Sequence, residues 1–250
     1  MPISPNQGST GGGTAVAITG TGLTGTTAVH FGTRLATIVS NPDDTHVNVL
    51  SPAGSGTVGV TVTTPGGTSN PLSFYYVGAP FKAGLSVSSG PTAGGNSITI
   101  SGTGLSTTTS VSFGANAAVP TVVSDSQLTV TLPAATGGAA GSVGVTVTTA
   151  GGSSNGLTYT YVAAPTIGTP SPNSGPTSGG TAVTIPGTSF TTAQSVTIGG
   201  AAAPFDVISD TEIAAVTPPG TAGAQTVSVV TTGGTASLTG GFTYVAGPGI

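Results

Sequence analysis

Ser97-Ile98-Thr99-Ile100-Ser101-Gly102-Thr103-Gly104-Leu105 decides the reading of this chain, because the sequence says it three times. An earlier copy runs Val16-Ala17-Ile18-Thr19-Gly20-Thr21-Gly22-Leu23, and a later one runs Ala182-Val183-Thr184-Ile185-Pro186-Gly187-Thr188-Ser189-Phe190. Each alternates polar and apolar residues, as a half-buried strand does, before a glycine breaks it. Each copy then reaches an apolar–Gly pair: Phe31-Gly32, Phe113-Gly114, Ile198-Gly199. A Val-rich strand and a Gly-Gly turn come next (Gly66-Gly67, Gly151-Gly152, Gly233-Gly234), and a Tyr-Val pair closes the copy (Tyr76-Val77, Tyr161-Val162, Tyr244-Val245). The closing pairs lie 85 and 83 residues apart. So long a period predicts serial small domains, since the units of a solenoid run only about 20–50 residues.

Composition narrows the function. The 250 residues contain no Cys, so neither a disulfide nor a zinc-thiolate site is available. Arg34 and Lys82 are the only basic residues. Two cations cannot neutralise a run of phosphates, which excludes nucleic acid as a partner. Six acidic residues form no acidic tail. The abundance of alternating Val, Ile and Thr argues against disorder despite 43 glycines. The surface must therefore be covered by Thr, Ser, Asn and backbone, a coat suited to packing against copies of itself or to standing outside the cell. No apolar run approaches the roughly 18 residues of a membrane-spanning helix, so membrane insertion is not expected. Met1-Pro2-Ile3-Ser4-Pro5 has neither the basic nor the apolar segment of a signal peptide. An extracellular, cell-surface or virion location then implies a leader already removed or an exit that needs none.

In the middle copy, strands are expected at Ser97–Ile100, Ser110–Phe113, Thr121–Ser124, Leu128–Leu132, Val143–Thr148 and Leu157–Tyr161, with a turn at Asp125-Ser126. Turn signals every 8–12 residues without helical periodicity predict a small antiparallel β-sandwich of immunoglobulin-like type. The expected core is Ile98, Ile100, Val111, Phe113, Leu128, Val130, Val143, Val145, Val147, Leu157, Tyr159 and Tyr161.

Further marks sit at fixed places in the copies. Ser89-Gly90-Pro91 and Ser174-Gly175-Pro176 precede Gly94-Gly95 and Gly179-Gly180. The Gly-Thr-Gly-Leu corner comes after them, then Ser124-Asp125-Ser126-Gln127-Leu128 and Ser209-Asp210-Thr211-Glu212-Ile213. With these marks the chain resembles the IPT/TIG family of immunoglobulin-like modules over nearly its whole length. The first copy departs at Asn41-Pro42-Asp43-Asp44-Thr45, and the third has Ser189-Phe190 for Gly-Leu. The resemblance implies an all-β fold of three tandem sandwiches in a rod, of bacterial or phage type. It also implies a scaffolding, adhesive or binding role, without fixing which. The domains are expected at 1–78, 79–163 and 164–250, the first lacking the lead into its first strand.

Signals of chemistry are weak. Gly20-Thr21-Gly22-Leu23-Thr24-Gly25 matches G-x-G-x-x-G, but a strand succeeds it where a nucleotide site needs a helix, so no cofactor is expected. His46 with Asp43 and Asp44 offers one imidazole and two adjacent carboxylates on a turn, a poor metal site. Asp206, Asp210 and Glu212 form the other acidic cluster. Asp210 has counterparts in Asp125 and Asp44, so a turn-closing role is expected in place of a catalytic pair. No Ser is paired with a His and a carboxylate in the manner of a triad. The chain is read as no enzyme. Lys82 falls in a linker, and Phe81 beside it is expected to pad the joint between the first two domains with Pro80, as Pro165 and Ile167 serve the next joint.

The chain's ends carry the last signal. Ala246-Gly247-Pro248-Gly249-Ile250 resembles the linker Ala163-Ala164-Pro165-Thr166-Ile167. Val77 to Gly94 and Val162 to Gly179 each span 17 residues, and so does Val245 to Gly12 of a second copy placed after Ile250. The expectation is head-to-tail self-association. Ala246–Ile250 would complete the first strand beside Ile3 and Pro5 of the next copy, giving a filament if the contact does not close. The alternative is an adhesive module for a surface glycan or receptor, with specificity in loops such as Gly137–Gly141. The second reading is favoured by glycan binding from a monomer, the first by a polymer.

Overall fold

The structure, a computed structural model, describes residues 1–248. Its regular structure is almost all short strands, and the one helical segment among the described residues is the 3-10 turn Thr136–Gly138. Among the described residues no helix is long and apolar enough to cross a membrane. The chain's contacts group into two compact units: residues 1–86, 97–131 and 144–157, and residues 87–96, 132–143 and those from 158 onward.

The first sandwich lies in the first unit. One sheet orders Ile3–Ser4, Ala15–Thr19, His46–Leu50 and Thr37–Asp43. The facing sheet orders Gln7–Ser9, Leu72–Val77, Thr57–Thr64, Ala28–Phe31 and Arg34–Leu35. Alternation puts Val16, Ile18, Val47, Val49, Val60, Val62 and Phe74 on the inner faces, where all are buried. Phe74 meets Phe31 and Tyr76 edge-on, with ring centroids 4.9 and 5.1 Å apart. Gln7–Ser9 pairs in parallel with Tyr75–Val77, while the other pairings of this sandwich are antiparallel.

The second and third sandwiches repeat this order. Phe81–Leu85, Ser97–Thr103, Gln127–Thr131 and Pro120–Ser124 form one sheet of the middle copy. Ser89–Pro91, Leu157–Val162, Gly141–Thr149, Thr108–Phe113 and Asn116–Ala118 form the other. The third has Thr166–Ile167, Ala182–Thr188, Glu212–Val216 and Phe205–Ser209 facing Ser174–Pro176, Gly234–Val245, Gly223–Thr231, Ala193–Ile198 and Ala201–Ala202. Ten of the twelve expected core residues of the middle copy are buried, while Val143 and Leu157 stay half-exposed near strand ends. Leu132, which continues the alternation of Leu128 and Val130, is buried as well, and so is Leu105 at the corner, where no alternation announces it.

One device recurs in all three copies. The closing Tyr of each last strand sends its hydroxyl to a proline carbonyl: Tyr76 to Pro52 (2.7 Å), Tyr161 to Pro133 (2.8 Å) and Tyr244 to Pro218 (2.5 Å). Each pins the loop before the Val-rich strand to the strand that ends the domain, and each satisfies an otherwise buried donor.

Candidate functional site

The carboxylates come first, since any hydrolytic or metal chemistry would use them. Asp125 accepts from the backbone N–H groups of Gly104 (3.1 Å) and Ser106 (3.3 Å), about twenty residues earlier in the chain. Asp44 accepts likewise from Gly22 and Thr24, and Asp210 from Ser189 and Thr191. These bonds hold each acid below its ordinary range. The Gly22 amide is the main cause for Asp44, the Ser106 hydroxyl for Asp125 and the Thr191 hydroxyl for Asp210. The Asp therefore locks the glycine corner, a long-range clasp and not a local turn. The corner requires a left-handed residue, and the third copy meets that need with Ser189 at φ 59° in place of Gly22 or Gly104.

Asp43 does separate work. It accepts from the Thr45 amide and hydroxyl (2.7 Å each) and faces His46 Nδ1 at 3.0 Å. The Thr45 hydroxyl, above the other partners, lowers its pKa to about 2. Asp43 and Asp44 thus point their bonds at different partners. No cluster of three or more His, Cys, Asp or Glu side chains able to hold a metal occurs among the described residues. Glu212 and Asp206 are exposed, and Phe205 packs against the third core. The loop Gly137–Gly141 is exposed.

Lys82 corrects the sequence reading. It belongs to the strand Phe81–Leu85 and not to a linker, and it is 1% exposed. Its ammonium donates to the Val145 carbonyl, and Asn155 brackets its backbone, accepting from the Lys82 N–H at 2.7 Å and donating to its carbonyl at 3.2 Å. Burial lowers its pKa to about 8. The neighbour expected to pad the joint, Phe81, points the other way and is 57% exposed. Strand alternation sends one of the two side chains inward, and the register chosen here sends Lys82.

The joints themselves are built from backbone against glycine. Within the first unit, a methyl added at Gly151 would run into the carbonyl oxygen of Gly78, with the Val77 carbonyl 2.9 Å away. Within the second unit, a methyl at Gly233 would run into the Ala163 carbonyl, with that of Val162 at 3.0 Å. Both glycines are buried, as are Pro80 and Pro165, which lead the chain into the next strand. Gly102 and Gly187 admit the Phe81 and Thr166 carbonyls in the same manner. Ile167 pairs with Gly187 and packs on the third core. The arriving segment enters a domain by lying flat on glycine, and Thr149 and Thr231 beneath it are buried.

In the sequence these Gly-Gly pairs read as turns; Pro80 and Pro165 mark the joints there, but the part of Gly151 and Gly233 does not show in that reading. A signal was present. Only the second glycine of each pair has a left-handed φ: Gly67 at 124°, Gly152 at 109° and Gly234 at 132°. The first glycine needs no such freedom, so its recurrence calls for another cause, which close approach supplies at two of the three copies.

At the first copy the same surface is open. Gly66 is exposed, and the nearest atom to a methyl placed there is the Thr64 hydroxyl at 3.6 Å. Around it lies a groove of about 300 Å³ lined by Met1, Thr21, Gly22, Leu23, Val62, Thr64 and Gly66–Ser69. The first strand is present in short form, Ile3 and Ser4 pairing with Ile18 and Ala17, and Ile3 packs on the first core while Pro5 is exposed. The places opposite Gly102–Thr103 and Gly187–Thr188 are filled by strand residues in the other copies. Opposite the equivalent Gly20, the Met1 side chain lies instead. At the far end, Ala246, Gly247 and Pro248 come after the last strand and are exposed, whereas Gly249 and Ile250 lie outside the described residues.

No curated protein matches the chain. Among solved structures it is similar to the extracellular region of plexin A4, at 20% identity over 93% of this chain and 22% of that one, with a TM-score of 0.48. It is also similar to SGBP-B from a xyloglucan utilization locus of Bacteroides uniformis (22% identity, 66% and 49% coverage, TM-score 0.32) and to the I9–I11 tandem of titin (9% identity, 96% and 96% coverage, TM-score 0.30). The chain spans about a fifth of the plexin A4 chain it matches. The sequence profile of the IPT/TIG domain matches three times, over residues 1–76, 83–161 and 165–244, and with its three repeated sandwiches this chain belongs to the IPT/TIG domain family.

Proposed function

We propose that this chain is a non-enzymatic structural protein whose modules, and whose copies, join by the same contact, giving a head-to-tail polymer outside the cell or on its surface. The single observation that carries the reading is the identical exit from all three modules. Val77, Val162 and Val245 each offer their carbonyl to a threonine amide, those of Thr10, Thr92 and Thr177, at 3.1, 3.1 and 3.2 Å. Their strands end in the same parallel pairing, Val77 with Ser9, Val162 with Pro91 and Val245 with Pro176. The segments leaving the first two exits lie on Gly151 and Gly233 of the next module. Ala246-Gly247-Pro248, leaving the third, repeats the pattern of Ala163-Ala164-Pro165 and Gly78-Ala79-Pro80. A heterologous contact of this kind extends without limit unless its rotation closes a ring.

The reading fits a surface nearly free of charge, with four of the six carboxylates held in hydrogen bonds to corners and turns. Its test is negative-stain imaging of the whole chain beside a version lacking Ala246–Ile250. Filaments or rings from the first and single particles from the second are expected. Equal polymer from both would overturn it.

A further inference from the structure

We infer that the open groove around Gly66 on the first module is a binding site for a second copy of this chain, and that it takes the Val245–Pro248 segment as extended backbone. This inference rests on the head-to-tail reading above and assigns its receiving surface. Three observations converge on it. First, the groove is the counterpart of two surfaces that are occupied. Thr64, Gly66 and Leu23 stand where Thr149, Gly151 and Leu105 stand in the second module and Thr231, Gly233 and Phe190 in the third. The hairpin is preformed, since the Gly66 amide donates to the Thr64 hydroxyl (3.2 Å) as Gly151 does to Thr149 and Gly233 to Thr231 (3.1 Å each). The hairpin itself needs no rearrangement to receive a chain.

Second, Gly66 is the one member of its set whose small size nothing in its own described chain uses. The carbonyls that crowd Gly151 and Gly233 have no counterpart over Gly66. Third, the occupant is specified by the two cases already filled. Both place a Val carbonyl and then a Gly or Ala carbonyl over the glycine, with a proline two residues on. Val245-Ala246-Gly247-Pro248 is the remaining segment of that form, it is exposed, and it leaves its strand in the same geometry. Recognition is by backbone shape in a neutral groove, so the contact should be nearly insensitive to salt.

The test uses the full chain in sedimentation velocity across a wide concentration range. Gly66→Ala leaves the first module intact, because its methyl meets only the Thr64 hydroxyl at an ordinary distance and the position needs no left-handed φ. The variant should melt no lower than the wild type and lose self-association. A chain lacking Ala246–Ile250 should also be monomeric. Mixing the two should restore one contact, since the first still has its tail and the second still has its groove, and the product should stop at a one-to-one dimer. Wild-type association that Gly66→Ala leaves unchanged, while the truncation abolishes it, would overturn the groove but keep the head-to-tail reading. A wild-type chain that stays monomeric at every concentration would overturn both. Failure of the mixture to dimerise would overturn the groove as the receiver of this tail.

Discussion

Replacing Gly151 by Ala puts a methyl where the Gly78 carbonyl oxygen sits. Real side-chain carbons almost never come within 3.0 Å of such an atom, so the two backbones must part by about an ångström. Neither can yield as a flexible side chain would, because one is a hairpin and the other is the exit of a strand. Overpacking of this sort costs about 1–3 kcal/mol. For a domain of this size each kcal/mol moves the midpoint by roughly 4–8 °C. Gly233→Ala is expected to do the same against Ala163. Gly66→Ala, the same change at the same place in the first copy, should be neutral or should stabilise by up to about 1 kcal/mol through the unfolded chain's lost freedom. Differential scanning calorimetry of the three variants reads the contrast, with limited proteolysis at Gly78-Ala79 and Ala163-Ala164 reporting whether the joints open. Equal losses at all three glycines, or no loss at Gly151 and Gly233, would refute the idea that backbone docking on glycine holds the joints.

Three other outcomes are expected from the same geometry. Lys82 has a folded pKa of about 8 against 10.5 unfolded, so the unfolded chain binds the proton more tightly and stability should rise between about pH 8 and 10, by no more than about 3 kcal/mol. Above pH 10 the buried tyrosines, whose pKa values burial raises, oppose it, and Lys82→Met should flatten the rise in urea titrations. The corner acids Asp44, Asp125 and Asp210, and Asp43 beside them in its own turn, have folded pKa values below 3.8, so their contribution is intact above that pH and is lost as pH falls through the folded values, to about 2 for Asp43; Asp125→Asn should reduce the acid loss measured by circular dichroism. Ser189→Gly relieves a left-handed serine and should stabilise the third module by about 0.5–1 kcal/mol, seen as a higher midpoint for its transition.

Most strand positions and most of the core were legible because they rest on alternation, which a single sequence displays. Ile98, Ile100 and Val130 could be read inward from their neighbours, and the repeat turned one module into three. Lys82 could not, since a lone charge after a Pro-containing stretch reads as linker, and only the register of Phe81–Leu85 against Ser97–Thr103 turns it inward. The Asp125 clasp was half legible. Its recurrence was visible, but its partners, Gly104 and Ser106, follow the neighbouring strand Ser97–Thr103 about twenty residues earlier, which local spacing does not reveal. The joint was hidden for a further reason. A glycine's close approach depends on what arrives from elsewhere in the chain, and Gly66, Gly151 and Gly233 look alike until the surrounding backbone is known.

Hydrogen exchange read by mass spectrometry, on peptides covering Thr64–Thr68 and Tyr244–Pro248 at low and high protein concentration, probes both faces of the contact between copies. Protection that grows at the two segments together as concentration rises, with the hairpin at Thr149–Gly152 unchanged, is the expected result. Exchange at Thr64–Thr68 that stays constant while the protein associates would contradict it.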